Sequence, residues 1–178
     1  MISSFIGLFL GQILTSLERK SLYVATPQLI LDYNYSKVKI GIISSSFSLT
    51  YGIGKFLGGF LSDIVNAEII LSLCILLSSI SVYIFGYLSN NFNGLIACWI
   101  VHGILQGIAG PALNKYCNNI ETNSMDILWS ILMFGSNLGY LLGPFILKND
   151  NCWEMFKHLG NLYKYIYVLL LLQSILQY

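Results

Sequence analysis

Hydrophobic positions in this chain neither alternate nor keep to one helical stripe. They come in long runs broken by short polar segments, at about 5–31, 40–61, 69–88, 94–116, 127–147 and 162–178. A bilayer span needs roughly 20 predominantly apolar residues. The pattern therefore predicts six membrane-spanning helices, the last of them short. The polar segments 32–39, 62–68, 89–93, 117–126 and 148–161 are read as loops.

Composition supports this picture and narrows it. Of 178 residues, 56% are hydrophobic and 10% are charged, with a mean hydropathy of +0.70. Soluble domains carry about 25% charged residues, so disorder and an ordinary soluble enzyme are excluded. The expected surroundings are a lipid bilayer. The net charge of +1 is thinly spread and gives no purchase for nucleic acid. Cys74, Cys98, Cys117 and Cys152 have neither CxxC nor metal-ligand spacing and read as small core residues. No cleavable leader is visible, and the first span would serve as the insertion signal.

Glycine placement divides the spans. GxxxG spacings occur at Gly7/Gly11, Gly54/Gly58, Gly103/Gly107 and Gly135/Gly139/Gly143, in spans one, two, four and five. Small residues one turn apart let helix backbones approach closely in lipid. Those four spans are expected to pack centrally, with spans three and six outside. The same rhythm, with Pro27 near the end of span one and Pro111 near that of span four, suggests a three-plus-three inverted repeat, a transporter signature.

Three basic residues stand where apolar ones belong. Arg19 and Lys20 lie mid-way along span one, next to Glu18, and Lys55 lies in span two. A charge at the bilayer centre costs on the order of 3 kcal/mol and persists only when paired or facing water. One reading is a basic, water-filled cavity holding an anion, with Arg as a planar donor fork and Lys as a point charge. The other is local pairing of Glu18 with Arg19 or Lys20. Gln106 and Asn137 are further candidate substrate contacts. His102 has no acid three or four residues away in sequence and reads as a helix-contact hydrogen bonder rather than a proton carrier. Asn34-Tyr-Ser36 fits a glycosylation sequon, a triplet common by chance. The glycines at 52–58 have the wrong spacing for a nucleotide loop. No Ser/His/Asp, Cys/His or paired-carboxylate arrangement supports hydrolysis, so an enzyme is not expected, nor is a cofactor or metal.

Leu17-Glu-Arg-Lys-Ser21, Ile40-Gly-Ile-Ile-Ser-Ser-Ser46 and Tyr51-Gly-Ile-Gly-Lys-Phe-Leu-Gly-Gly-Phe-Leu-Ser-Asp63 together resemble the organophosphate:phosphate antiporters of the major facilitator superfamily. His102-Gly-Ile-Leu-Gln-Gly107, Pro111 and Lys115 are similar to that family's fourth-helix pattern. Trp129-Ser-Ile-Leu, with Asn137-Leu-Gly and Gly143-Pro144, resembles the branch that moves glucose-6-phosphate across the endoplasmic-reticulum membrane, which implies that membrane as the location. The resemblance implies an all-α bundle forming the N-terminal half of a transporter. The activity implied is exchange of a phosphorylated sugar for inorganic phosphate, with Arg19, Lys20 and Lys55 binding phosphate. Gly54, Gly58, Asp63, Gly103, Gly107, Pro111, Gly139 and Gly143 are the structural candidates. A second six-helix half, or a second copy of the chain, is the expected partner. The alternative is a truncated, non-transporting membrane protein that binds or regulates a full-length relative.

There are departures from the family pattern. Glu18 stands at a position usually uncharged, where it would weaken the anion site. The loop after Asp63 has Ile64, Val65 and Glu68 in place of arginine, and His102, Gly110 and Ala112 replace the usual residues. Lysines cluster around the odd loops, which under the positive-inside rule opposes the family's orientation.

Overall fold

The computed structural model describes residues 2–88, 91–120, 125–146 and 151–161. Five long helices follow one another: α1 (Ile2–Leu31), α2 (Lys37–Ile64), α3 (Ala67–Phe85), α4 (Phe92–Ile120) and α5 (Met125–Ile146). Residues 152–161 form a further helical segment, α6. The expected run at 162–178 lies outside the described residues.

Side chains in the short links start the helices. Ser36 accepts from the Lys39 amide at 3.2 Å and caps α2, and Asn66 accepts from the Glu68 amide at 3.0 Å and caps α3. Each satisfies a donor that the first turn leaves free. Asn34 takes a φ of 55° in the α1–α2 turn, a left-handed conformation that Asn tolerates better than most residues. Pro27 and Pro111 sit inside α1 and α4, which run on past them.

By length and composition, α3, the stretch Phe92–Asn119 and the stretch Asp126–Ile146 are apolar enough to cross a membrane. In α1 the Glu18-Arg19-Lys20 triplet dilutes the apolar run, and in α2 serines, glycines and Lys55 do so.

The packing has a two-fold logic. α2 lies along α4, and α1 lies along α5. Exchanging each helix for the one three places on turns the first pair into the second, as an inverted three-helix repeat requires. Glycines set both contacts. A Cβ on Gly107 would meet the Tyr51 carbonyl and sit 2.8 Å from Gly54 Cα, and one on Gly58 would sit 2.7 Å from Ile108 Cα. On the other pair, a Cβ on Gly139 would meet the Ile13 carbonyl and lie 2.8 Å from Ser16 Cβ. Ser16 and Ser136 share a 2.7 Å hydrogen bond across the same contact. A Cβ on Gly103 would meet the Thr50 hydroxyl, whereas at Gly143 it would make ordinary contact with Leu17 at 3.5 Å.

Three expectations are corrected. Gly11 has open space around it; α1 meets α5 through Ile13, Ser16 and Leu17 instead. Helix three is not merely peripheral, while the expectation for span six falls on 162–178, outside the described residues. α3 packs along α4, and it meets α6 at backbone distance: a Cβ on Gly160 would lie 2.8 Å from Tyr83 Cα, and one on Gly86 would lie 2.9 Å from the Trp153 carbonyl. These are single glycines, invisible to a GxxxG search. Finally, the segment 148–161, read as a polar loop, contains α6. Its Cys152, Trp153, Met155, Phe156 and Leu159 belong to the core, where Phe85 packs tilted against Trp99 and edge-on against Phe156, both at 4.6 Å. Polar residues at every third or fourth position masked this buried face.

All four cysteines are free thiols, and Cys74, Cys117 and Cys152 are buried. By contrast, α2 and α5 leave large apolar side chains outside the core, among them Phe56 (84% exposed) and Phe145 (74%). Such surfaces suit lipid or further protein.

Candidate functional site

Between α1, α2, α4 and α5 lies an open cavity of about 250 Å³. Arg19, Lys20 and Tyr23 of α1 line it, with Ser44, Ser48 and Tyr51 of α2, Trp99 of α4 and Tyr140 of α5. Its two lining cations, Arg19 and Lys20, rest on aromatic rings, and Lys55, outside the lining, shares one of them. The Arg19 guanidinium lies 4.9 Å from the Tyr51 ring centroid, and the Lys55 ammonium lies 4.9 Å from the same ring. Lys20 sits between Tyr23 (5.3 Å) and Tyr140 (5.8 Å). A ring face attracts a cation by about 0.5–2 kcal/mol. Two cations on one ring still repel each other, and an anion reaching both relieves that repulsion.

Arg19 is held from behind. Its Nε and Nη2 donate to Gln106 Oε1 at 3.1 and 3.0 Å. Gln106 Nε2 donates to Glu18 Oε2 at 3.1 Å and to Ser78 Oγ at 3.2 Å. The amide is therefore fixed at both ends, and its oxygen must face Arg19. A second, narrow cavity of about 50 Å³, lined by Gln12, Thr15 and Leu113 among others, reaches Arg19 and Gln106 from the far side.

Of the candidate substrate contacts, the fold brings Arg19, Lys20 and Lys55 together through Tyr51 and the cavity wall. Gln106 is 2% exposed, and its amide is taken by protein groups, so in this structure it positions Arg19. Asn137 is exposed on α5 and does not line this cavity. Asp63 pairs at the surface with Lys115, whose ammonium also donates to the Ser62 carbonyl at the C-terminal end of α2. That cation favours the helix dipole.

Glu18 does not form an ion pair with Arg19 or Lys20. It is buried between α1, α3 and α4, where Ser78 donates to its Oε2 at 3.2 Å. His102 Nδ1 lies 3.9 Å from the same oxygen and 2.8 Å from Ser78 Oγ. His102 is thus a hydrogen bonder at a helix contact, as its sequence reading expected, with Ser78 of α3 as its partner and Glu18 of α1 nearby.

The sequence reading missed Tyr51, Tyr23, Tyr140 and Ser78. Two of these carried a signal: Tyr51 lies one turn before Lys55, and Tyr23 one turn after Lys20, so each shares a face with its cation. Ser78 is one of several serines in the otherwise apolar α3.

A family model described as Major Facilitator Superfamily matches residues 8–148. The chain belongs to the major facilitator superfamily. Among its relatives, a probable hexose phosphate transport protein of Chlamydia trachomatis is 32% identical over 79% of this chain and 31% of its own length. The hexose-6-phosphate:phosphate antiporter of Salmonella typhimurium is 26% identical over 82% of this chain and 36% of its own. The membrane sensor protein UhpC of Escherichia coli is 26% identical over 79% and 32%. The chain spans about a third of the length of these curated relatives. Two solved structures share the superfamily fold. A bacterial homologue of the lysosomal transporter Spinster has a TM-score of 0.81 at 19% identity, covering 95% of this chain and 42% of that one. The proton:xylose symporter XylE has 0.80 at 19% identity, covering 95% and 44%.

His102 stands outside the cation cavity, so His102→Asn is expected to change phosphate affinity by less than about threefold, under 1 kcal/mol. Titration of labelled phosphate against the purified variant checks this, and a tenfold loss would place the ring in the anion site.

Proposed function

We propose that the chain supplies the anion-binding half of an exchanger that trades a phosphorylated sugar for inorganic phosphate by alternating access. The observation that carries this is an aromatic-walled cavity lined by Arg19 and Lys20, with Lys55 set against the same Tyr51 ring as Arg19. Three positive charges less the one on Glu18 leave about +2, which a phosphate ester near −2 would balance. Rings on the walls can also pack against the apolar face of a sugar. Relatives named as hexose phosphate transporters support the same substrate class, and relatives of that kind are transporters rather than enzymes. Location in the endoplasmic reticulum rests on the resemblance around Trp129 alone.

Alternating access needs two halves rocking about a shared site, and here one wall of the cavity is open. Liposomes loaded with phosphate and given labelled glucose-6-phosphate outside test the reading. The 178-residue chain alone is expected to bind phosphate with an affinity that weakens as salt rises, yet to show no sustained counterflow. Joined to a second six-helix half, it should exchange. Saturable counterflow by the chain alone, abolished in Arg19→Ala, would make it a working exchanger by itself.

The likeness to a membrane sensor favours a second reading, a regulator that binds the anion without moving it. Such a chain would alter the activity of a full-length relative in the same liposomes and would bind phosphate without exchange in any combination.

A further inference from the structure

Glu18, Ser78 and His102 are buried outside the cation cavity, and two of their atoms lack partners. Glu18 Oε2 accepts from Ser78 and Gln106, but Oε1 has no partner; His102 Nδ1 meets Ser78, but Nε2 has none. Glu18 and His102 are each 0% exposed. The hydrogens can be counted. Gln106 spends its two amide hydrogens on Glu18 Oε2 and Ser78 Oγ. Ser78 then has one hydrogen and one lone pair left, so it accepts from one of its two neighbours and donates to the other.

Two arrangements satisfy this. With Glu18 ionised, His102 carries its hydrogen on Nδ1 and donates to Ser78, which donates to Glu18. With Glu18 protonated, each bond reverses, and the ring keeps its hydrogen on Nε2. The two states differ by one proton. It arrives at Nε2, the Nδ1 hydrogen passes to Ser78 Oγ, and the Ser78 hydrogen passes to Glu18 Oε2. No bond between heavy atoms forms or breaks. Nε2 is the ring atom left without a partner, and the His102 ring packs on Phe47 (5.4 Å) and Trp99 (5.1 Å), both part of the cavity wall.

We propose that Glu18, Ser78 and His102 form a proton wire ending on Glu18, and that proton uptake there strengthens anion binding at Arg19. Gln106 joins the two sites, with Nε2 on Glu18 and Oε1 on Arg19. The ionised carboxylate offsets one of the three positive charges, and protonation removes that offset. The titratable and charged groups around Glu18 come from its own helix and from those packed against it. Arg19 is its neighbour on α1, α4 presents His102, and α3 presents Ser78 with the Cys74 thiol one turn away. Tyr51 and Lys55 of α2, and Lys20 with Tyr140 of α5, lie beyond Arg19. By linkage, anion binding in turn draws the proton in. The coupling rests on the anion site proposed above; the proton site does not.

Infrared difference spectra of the reconstituted 178-residue chain test the proton site without any anion. A carbonyl stretch of a protonated carboxyl should grow as pH falls and be missing in Glu18→Gln. In His102→Gln, which still offers Ser78 a partner but no path for the proton, the band should remain at equilibrium and appear about tenfold more slowly after a pH jump. Phosphate titrations then test the coupling. As pH rises, the parent should lose affinity faster than Glu18→Gln, by up to about tenfold per pH unit; both meet the same phosphate species, so the ligand's own titration cancels. A band that persists in Glu18→Gln, or no band at any pH at which the chain stays folded, overturns the proton site. An unchanged rate in His102→Gln overturns the wire, and parallel loss of affinity in the parent and Glu18→Gln overturns the coupling. The expected band without phosphate binding supports the proton site while ending the exchanger reading.

Discussion

Arg19→Ala should lower phosphate affinity about a hundredfold, near 3 kcal/mol. Among the described residues, Arg19 is the cation that lines the cavity and is also held by side-chain hydrogen bonds. Its Nε and Nη2 are held on Gln106 Oε1, which turns the remaining edge of the guanidinium toward the ligand. The substitution removes the charge and also leaves Gln106 Oε1 without its donors. Arg19→Lys keeps the charge and loses the fork, so an intermediate loss of about tenfold is expected. Lys55 is exposed and more open to screening, and Lys55→Ala should likewise cost about tenfold. Equilibrium binding of labelled phosphate to the three purified variants measures the series. Equal losses for Arg19→Ala and Lys55→Ala would mean that the bracing contributes nothing.

Gly107→Ala should be strongly destabilising, costing about 3 kcal/mol or more. The new Cβ would meet the Tyr51 carbonyl and lie 2.8 and 2.9 Å from Gly54 Cα and C. All of these are backbone atoms, so no side chain can turn aside. α2 and α4 would have to separate, losing the close approach that holds helices together where hydrophobicity does not. Gly52→Ala and Gly59→Ala are the matched controls, since both face open space. They should be neutral or slightly stabilising, because Ala is the better helix former by about 1 kcal/mol. Thermal unfolding of the three variants in micelles checks this, and a Gly107→Ala protein as stable as Gly59→Ala would remove the glycines from the packing account.

The features legible in the sequence follow from short-range spacing. Long apolar runs must be helices in lipid, because only a helix satisfies its own backbone there. Gly54/Gly58 and Gly103/Gly107 repeat every fourth residue, which puts both members of each pair on one helix face. Arg19, Lys20 and Lys55 stood out because charge within an apolar run is costly. Each of these signals lies within a turn or two of chain. Which faces meet is a matter of how the helices pack. Ser78 and Glu18 are 60 residues apart, Ser78 and His102 are 24 apart, and Gln106 and Arg19 are 87 apart. Whether they touch depends on how each helix is rotated and how far it slides along its neighbour. Those two variables are set by the packing of the whole bundle, to which Gly86 and Gly160 contribute as single residues with no periodic signal. A histidine without a partner in its own helix and a glutamate without one in its own were therefore both legible as residues. Their pairing was not, because it belongs to the register of α1, α3 and α4.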